Sequence, residues 1–157
     1  MKSATERVLV VYERSRAGTA AIDLARELAK SNDVTLSVVA VAPQAPSGPR
    51  CGNSAVEYNE VVAESVAHDL DEARQRLGPA AERARFVLLI EGGEPSLARF
   101  ATDGGFDLVL LPGHRRPLRS GAHHPEANRL KVSGGAEIRI VEPSSRRRSP
   151  RPAGAAG

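Results

Sequence analysis

Two short runs of apolar residues are uninterrupted by polar positions, which is typical of strands covered on both faces of a parallel sheet. They are Val8–Tyr12 and Leu108–Leu111. Val34–Val41 and Ala84–Ile90 are rich in apolar and β-branched residues and are predicted to be further strands. Glu137–Val141 alternates apolar with polar positions, which predicts a strand at the edge of the sheet, with one face less covered.

Helices are predicted between these strands, because apolar residues recur there at helical spacing. The predicted helices are Gly18–Ser31, Ala55–Leu77, Pro95–Thr102 and Pro125–Val132. The buried stripe of the long second helix is predicted to consist of Val61, Val62, Val66, Leu70, Ala73 and Leu77. Parallel strands need crossover helices, so this order predicts an α/β fold in which helices cover a layered parallel sheet.

The chain is predicted to be one domain over residues 1–143, followed by a basic tail over residues 144–157. The tail consists of Ser, Arg, Pro, Gly and Ala, and we predict that it is disordered because it has too little apolar surface to bury. The connection Ala42–Ser54 is rich in Pro and Gly and long for this fold class, so it is either a binding element or a mobile loop.

Composition argues against several classes of partner. Aromatic residues make up only 3% of the chain, which argues against stacking on nucleic-acid bases. The net charge of +3 comes partly from arginines of the tail, so the domain offers no electrostatic case for DNA. Cys51 is the only cysteine and cannot form an intramolecular disulfide, and no apolar run is long enough to span a membrane. We therefore expect a cytoplasmic protein.

The chain resembles the universal stress protein family over residues 6–142. The resemblance lies in the order of elements and in several stretches, which are Val8-Leu-Val-Val-Tyr-Glu-Arg-Ser15, Val34–Pro43, Gly92-Gly-Glu-Pro95, Phe106–His114 and Ile138–Pro143. It implies a three-layer α/β/α sandwich with a five-stranded parallel sheet, of the Rossmann-type, adenine-nucleotide-hydrolase-like class. It also implies a homodimer paired through the last strand, with Ile138, Ile140 and Val141 at the interface.

Some members of that family bind ATP through a G-x-x-G-x9-G-[ST] loop after the fourth strand and an Asp after the first. Here Gly113 matches the first glycine, but Arg116 stands at the second and Glu126-Ala127 at the final pair. Glu13 stands at the Asp position. Glycine lets backbone N–H groups close around phosphate without a side chain in the way, so this loss predicts weak phosphate binding.

Two functions stay open after this comparison. The first is a stress-response or regulatory binding role, exerted through an unidentified protein partner, without strong ATP binding. The second is ATP binding with slow hydrolysis, in which arginines replace the missing glycines as phosphate donors. The residues that would bind nucleotide in the second case are Glu13, Ser15, Val41, Gly113, Arg115, Arg116 and Arg119.

Other chemistry has weaker support in the sequence. Ser15 has no accompanying His–Asp pattern and is better suited to cap the following helix than to act as a nucleophile. Cys51, His123 and His124 lack the fixed spacing of a metal site, and we predict no metal. An adenylating enzyme would need a glycine-rich phosphate loop, which is absent. We therefore predict a protein without catalytic residues.

Overall fold

A computed structural model describes residues 5–31, 33–43, 55–115, 122–124, 126–133 and 135–143. At 55–58, 115, 122, 123, 132 and 133 only the backbone is described. Most of the long connection, including Cys51, lies outside the described residues, as do Arg116, Arg119 and the tail 144–157. The predictions made for those parts of the chain stay predictions.

The centre of the fold is a five-stranded parallel sheet, which confirms the predicted fold class. Its strands are β1 (Glu6–Val11), β2 (Val34–Ala42), β3 (Arg85–Ile90), β4 (Leu108–Pro112) and β7 (Glu137–Val141), and they lie in the order β3-β2-β1-β4-β7. All five residues of β4 are buried, as its unbroken apolar run predicts. The strand β7 lies at an edge and alternates exposed with half-buried residues at its start, as predicted.

Within the described residues, four helices connect the strands of the sheet. They are α1 (Arg16–Leu28), α2 (Ala55–Leu77), α3 (Leu97–Asp103) and α4 (Ala127–Ser133), and a 3₁₀ turn, Gly78–Arg83, follows α2. The prediction that α3 begins at Pro95 is wrong by two residues. The hydroxyl of Ser96 accepts a hydrogen bond from the Arg99 N–H at 3.2 Å, so Ser96 caps the helix and Leu97 is its first residue. In the described part of the chain, no helix has the length and apolar character needed to cross a membrane.

Successive residues of each central strand face opposite sides of the sheet and build two separate cores. Val8, Val10 and Leu110 belong to the core beneath α1 and α2. Leu9 and Leu111 belong to the core beneath α3 and α4. Both cores are almost entirely aliphatic, and together with the sheet they form the three predicted layers.

One residue of the predicted stripe on α2 does not belong to it. Leu70, Ala73 and Leu77 are buried against the sheet, but Val61 is 66% exposed. At about 3.6 residues per turn, Val61 lies roughly two and a half turns before Leu70 and therefore on the opposite face of the helix. The hydrophobic character of Val61 suggested burial that its position on the helix does not allow.

A small antiparallel hairpin follows β4 and was not predicted. Its strands are β5 (His114–Arg115) and β6 (Ala122–His123), with His114 opposite His123. The sequence between them contains glycine, proline and arginine and was interpreted as an altered phosphate loop, with no strand predicted beside it. The hairpin returns the chain to the end of β4, which brings His124 near the sheet.

Candidate functional site

The order of the strands places a topological switch point between β1 and β4. From β1 the chain adds β2 and β3 on one side of the sheet, and it then crosses back to place β4 and β7 on the other. In open α/β sheets, ligands bind at the carboxyl ends of the strands that flank such a point. Glu13 follows β1 and Gly113 follows β4, so both predicted site residues lie there.

Three side chains meet at this point, and we call Glu13, His114 and His124 the switch-point cluster. The Nε2 atom of His114 lies 2.5 Å from the Oε1 atom of Glu13, which is a short hydrogen-bonding distance. The rings of His114 and His124 meet edge to face, with centroids 5.4 Å apart. Each of the three residues has a possible ligand atom within 4.8 Å of those of the other two. The cluster is partly open to solvent, since the side chains of His114 and Glu13 are 43% and 37% exposed.

The backbone amides that border the expected phosphate loop already have acceptors within the protein. The buried Gly113 donates its N–H to the carbonyl of Val141 at 2.9 Å, extending the pairing of β4 with β7. At the other border, Glu126 donates its N–H to Nδ1 of His124 and Ala127 donates its N–H to the His124 carbonyl, both at 3.1 Å. A phosphate would have to displace these bonds before it could accept from the same amides.

Ser15 caps the N-terminus of α1, as predicted. Its hydroxyl accepts a hydrogen bond from the N–H of Gly18 at 3.0 Å, which is the geometry of a helix N-cap. Gly18 lies so close to the preceding turn that a Cβ atom there would be 1.9 Å from the carbonyl oxygen of Glu13. This close contact therefore fixes the path of the backbone after β1, and with it the position from which the Glu13 side chain extends.

The remaining predicted nucleotide-binding residues are only partly placed by the structure. Val41 is half-buried near the carboxyl end of β2, opposite Leu89 of β3. Arg115 is described by its backbone alone, in β5, while Arg116 and Arg119 lie outside the described residues. Glu13 and Gly113 are thus at the switch point, Val41 is at the same edge of the sheet, and the contribution of the arginines stays a prediction.

A second group of polar side chains, missed in the sequence analysis, lies where Tyr12 leaves β1 beneath α2. Burial, together with the negative charges of Glu72 and Asp69, raises the pKa of the Tyr12 phenol. Burial also raises the pKa of Asp69, and Glu72 adds to the effect. The Oδ1 atom of Asp69 is buried without a hydrogen-bond partner among the described residues. Arg14 partly offsets this negative charge through an ion pair with Glu72 at 3.4 Å.

The grouping of potential metal ligands differs from the one considered in the sequence analysis. In the sequence, His124 was considered together with His123 and Cys51 as a possible set of ligands. The fold instead brings His124 to His114 and Glu13. Glu13 and His114 are 101 positions apart, and only the adjacency of β1 and β4 joins them. The sequence feature that could have indicated this pair is that Glu13 and His114 each follow the end of a predicted buried strand.

Comparison with known proteins gives a consistent result. The model of the universal stress protein family matches residues 4–123. A comparison with curated protein sequences found no significant match. A solved protein of the universal stress protein family from Burkholderia pseudomallei is 21% identical to the chain, with a TM-score of 0.66, and the alignment covers 92% of this chain and 100% of that one.

Two further structures are described as nucleotide complexes. The universal stress protein from Archaeoglobus fulgidus in complex with dAMP is 18% identical, with a TM-score of 0.55 and coverage of 88% of this chain and 99% of that one. A family protein from Arabidopsis thaliana with AMP bound is 9% identical, with a TM-score of 0.56 and coverage of 89% and 93%. At these identities the similarity shows a shared fold, and the family match covers most of the chain. The chain therefore belongs to the universal stress protein family.

Proposed function

We propose that this chain is a cytoplasmic, non-enzymatic regulatory member of its family. It acts through a protein partner and binds nucleoside triphosphates such as ATP weakly. The observation that carries the proposal is that the backbone amides bordering the expected phosphate loop are already hydrogen-bonded within the protein. Gly113, Glu126 and Ala127 already donate their N–H groups to acceptors within the protein. Phosphate cradles work because such amides point outward and are not otherwise bonded.

The state of Glu13 supports the same proposal. A carboxylate at this position could accept hydrogen bonds from the ribose of a nucleotide, but here it is bonded to His114 at 2.5 Å. The His114 ring already occupies Oε1 of this carboxylate, so a ribose hydroxyl would have to share the carboxylate with His114 or displace it. Glu126, at the other border of the loop, adds a negative charge where the triphosphate would lie.

A thermal-shift titration with ATP tests this function. We expect no saturable rise of the melting temperature up to about 1 mM ATP, because a ligand stabilises the folded state only when its concentration approaches its dissociation constant. A saturable rise below that concentration would contradict the proposal if Glu13→Ala abolished it and Glu27→Ala did not. Glu27 is a suitable control because it is an exposed glutamate of α1, paired with Lys30 at 3.0 Å and remote from the switch point.

Binding of an adenine nucleotide is the second candidate, favoured by the relatives described with AMP and dAMP. In this case Glu13, Val41 and Gly113 would contact the nucleotide, with the loop arginines at its phosphates. Because the amides that border the loop are already bonded, additional phosphates would gain few contacts in this protein. AMP and ATP would then stabilise the fold to a similar extent in the same titration.

We further propose that the chain forms a homodimer through β7. Glu137 donates its N–H to the carbonyl of Asp107 at 2.9 Å and so pairs with the strand β4. Alternation along the strand directs the backbone N–H groups of Ile138 and Ile140 to the open edge, where a second copy could pair. The side chains of Ile138, Ile140 and Val141 are half-buried, so a partner could cover them further.

Ile138→Pro tests the dimer, because proline removes an outward-facing N–H and leaves the bonds to β4 in place. The matched control is Ile138→Ala, which loses the side chain but keeps the N–H. Sedimentation equilibrium should show a dimer for the wild type and association at least about tenfold weaker for the proline than for the alanine variant. A wild type that stays monomeric, or equal association of the two variants, would contradict pairing through β7.

A further inference from the structure

We propose that the switch-point cluster is a binding site for a divalent transition metal ion, with zinc as the best-matched ion. Glu13, His114 and His124 would be its three protein ligands. The fourth position would be open to water or to an anionic ligand. This proposal does not rest on the proposed regulatory function.

The geometry of the cluster needs little change to hold an ion. In a tetrahedral site with bonds of about 2.0 to 2.1 Å, ligand atoms lie about 3.3 Å from one another. In the cluster, the three possible ligand atoms are all within 4.8 Å of one another. The closest pair, His114 Nε2 and Glu13 Oε1, is separated by 2.5 Å and would open by less than about 1 Å. Small side-chain rotations would provide this movement.

The donor set indicates which ions fit. Two imidazoles and one carboxylate are a common combination for zinc with an open position, and they also suit other first-row transition metals. Magnesium and calcium prefer sites made of oxygen ligands, of which this cluster offers only one carboxylate. The site would therefore bind zinc in preference to these ions.

Two hydrogen bonds of the metal-free protein would be exchanged on binding. The His114–Glu13 contact would be replaced by two bonds to the ion. The Glu126 N–H donates to Nδ1 of His124 at 3.1 Å, so this nitrogen carries a lone pair and the proton of the neutral ring lies on Nε2. Ligation through Nδ1 would displace the Glu126 N–H, and ligation through Nε2 would move the ring proton to Nδ1. Either route ends the bond from Glu126, which provides a local signal of metal binding.

The position of the cluster gives the ion structural support and access. Glu13 lies in the turn fixed by Gly18, and His114 follows directly after the buried end of β4. The side chains of His114 and Glu13 are 43% and 37% exposed, so an ion can enter without opening the core. Contacts with α1 and β4 therefore hold the backbone positions of both ligands, as a defined metal site needs.

Titration of untagged protein with Co²⁺, followed by competition with Zn²⁺, tests the proposal. We expect one Co²⁺ per chain, with the intense visible absorption of four-coordinate cobalt, and its displacement by one equivalent of Zn²⁺. Zinc should also shift the backbone amide resonance of Glu126, because it loses its acceptor on His124. Absence of stoichiometric binding, or cobalt with only the weak spectrum of six-coordinate ions, would overturn the proposal.

Variants identify the ligands. Glu13→Gln, His114→Gln and His124→Gln should each weaken zinc binding by at least about 100-fold, since loss of even a supporting outer residue costs 10- to 100-fold. His68→Gln is the matched control, because His68 also lies beside a glutamate, at 3.7 Å from Glu72, but away from the cluster. Equal losses in His68→Gln or in His123→Gln would show loose binding to surface histidines and would overturn the assignment.

Discussion

Replacing Gly18 with alanine is expected to lower the free energy of unfolding by about 3 kcal/mol, at the upper end of what an overpacked methyl group costs. The added Cβ atom would lie 1.9 Å from the carbonyl oxygen of Glu13 and 2.9 Å from its carbonyl carbon. Because the obstacle is backbone, no side chain can rotate away. Relief requires α1 to move from the turn after β1, and this movement would also weaken the hydrogen bond between the Gly18 N–H and Ser15.

Urea unfolding of the wild type and Gly18→Ala measures this effect, and Gly135→Ala is the matched control. A Cβ atom at Gly135 meets no atom within 4 Å, so the same chemical change should alter stability by less than about 1 kcal/mol there. Equal unfolding midpoints for Gly18→Ala and the wild type would show that the turn after β1 can move freely. The position assigned to the Glu13 side chain would then be unsupported.

Leu111→Ala is expected to destabilise the protein by a similar amount, about 3 kcal/mol. Leu111 is fully buried in β4 and belongs to the core beneath α3 and α4. These two helices are short, at 7 residues each, and they are held to the sheet by apolar contacts of this kind. Removing most of a leucine side chain there leaves a cavity that the central strand cannot close by moving.

Thermal and urea unfolding of Leu111→Ala should be compared with Ile90→Ala. Ile90 is also a large aliphatic strand residue, but it is 50% exposed at the end of the edge strand β3. Its truncation should cost less than about 1 kcal/mol, because much of the side chain remains in water in the folded state. If both variants lost the same stability, β4 would not be the centre of the core.

The sequence was sufficient to predict the five strands and the four helices between them, because these follow from local patterns, although the predicted bounds of α1, α3 and α4 differ from the observed ones by one to three residues. The predicted range of α2, Ala55–Leu77, is the observed one. Local patterns were less informative where a neighbouring element decides the outcome. Val61 carries an apolar side chain on the outer face of its helix. The pairing of His114 with His123 joins residues on either side of a segment, 116–121, whose sequence has no strand pattern.

The candidate site was predicted in position but not in composition. Glu13 and Gly113 were each predicted to follow a buried strand, and the strand order brings the ends of those two strands together at the switch point. The contact of Glu13 with His114 was not predicted, because it depends on which two strands are neighbours and not on any spacing along the chain. The bond from the Gly113 amide to Val141 likewise depends on a tertiary contact, whereas the bond from the Glu126 amide to His124 spans only two residues.

The long separation of Glu13 from His114 also has a consequence during synthesis of the chain. A growing polypeptide that has completed β1, β2 and β3 contains Glu13 but not yet His114. The junction between these two residues forms only when β4 inserts beside β1. Pairings between such distant segments form late, because a large loop must be closed first. Any ligand that recognises the junction would therefore bind finished molecules and ignore incomplete ones.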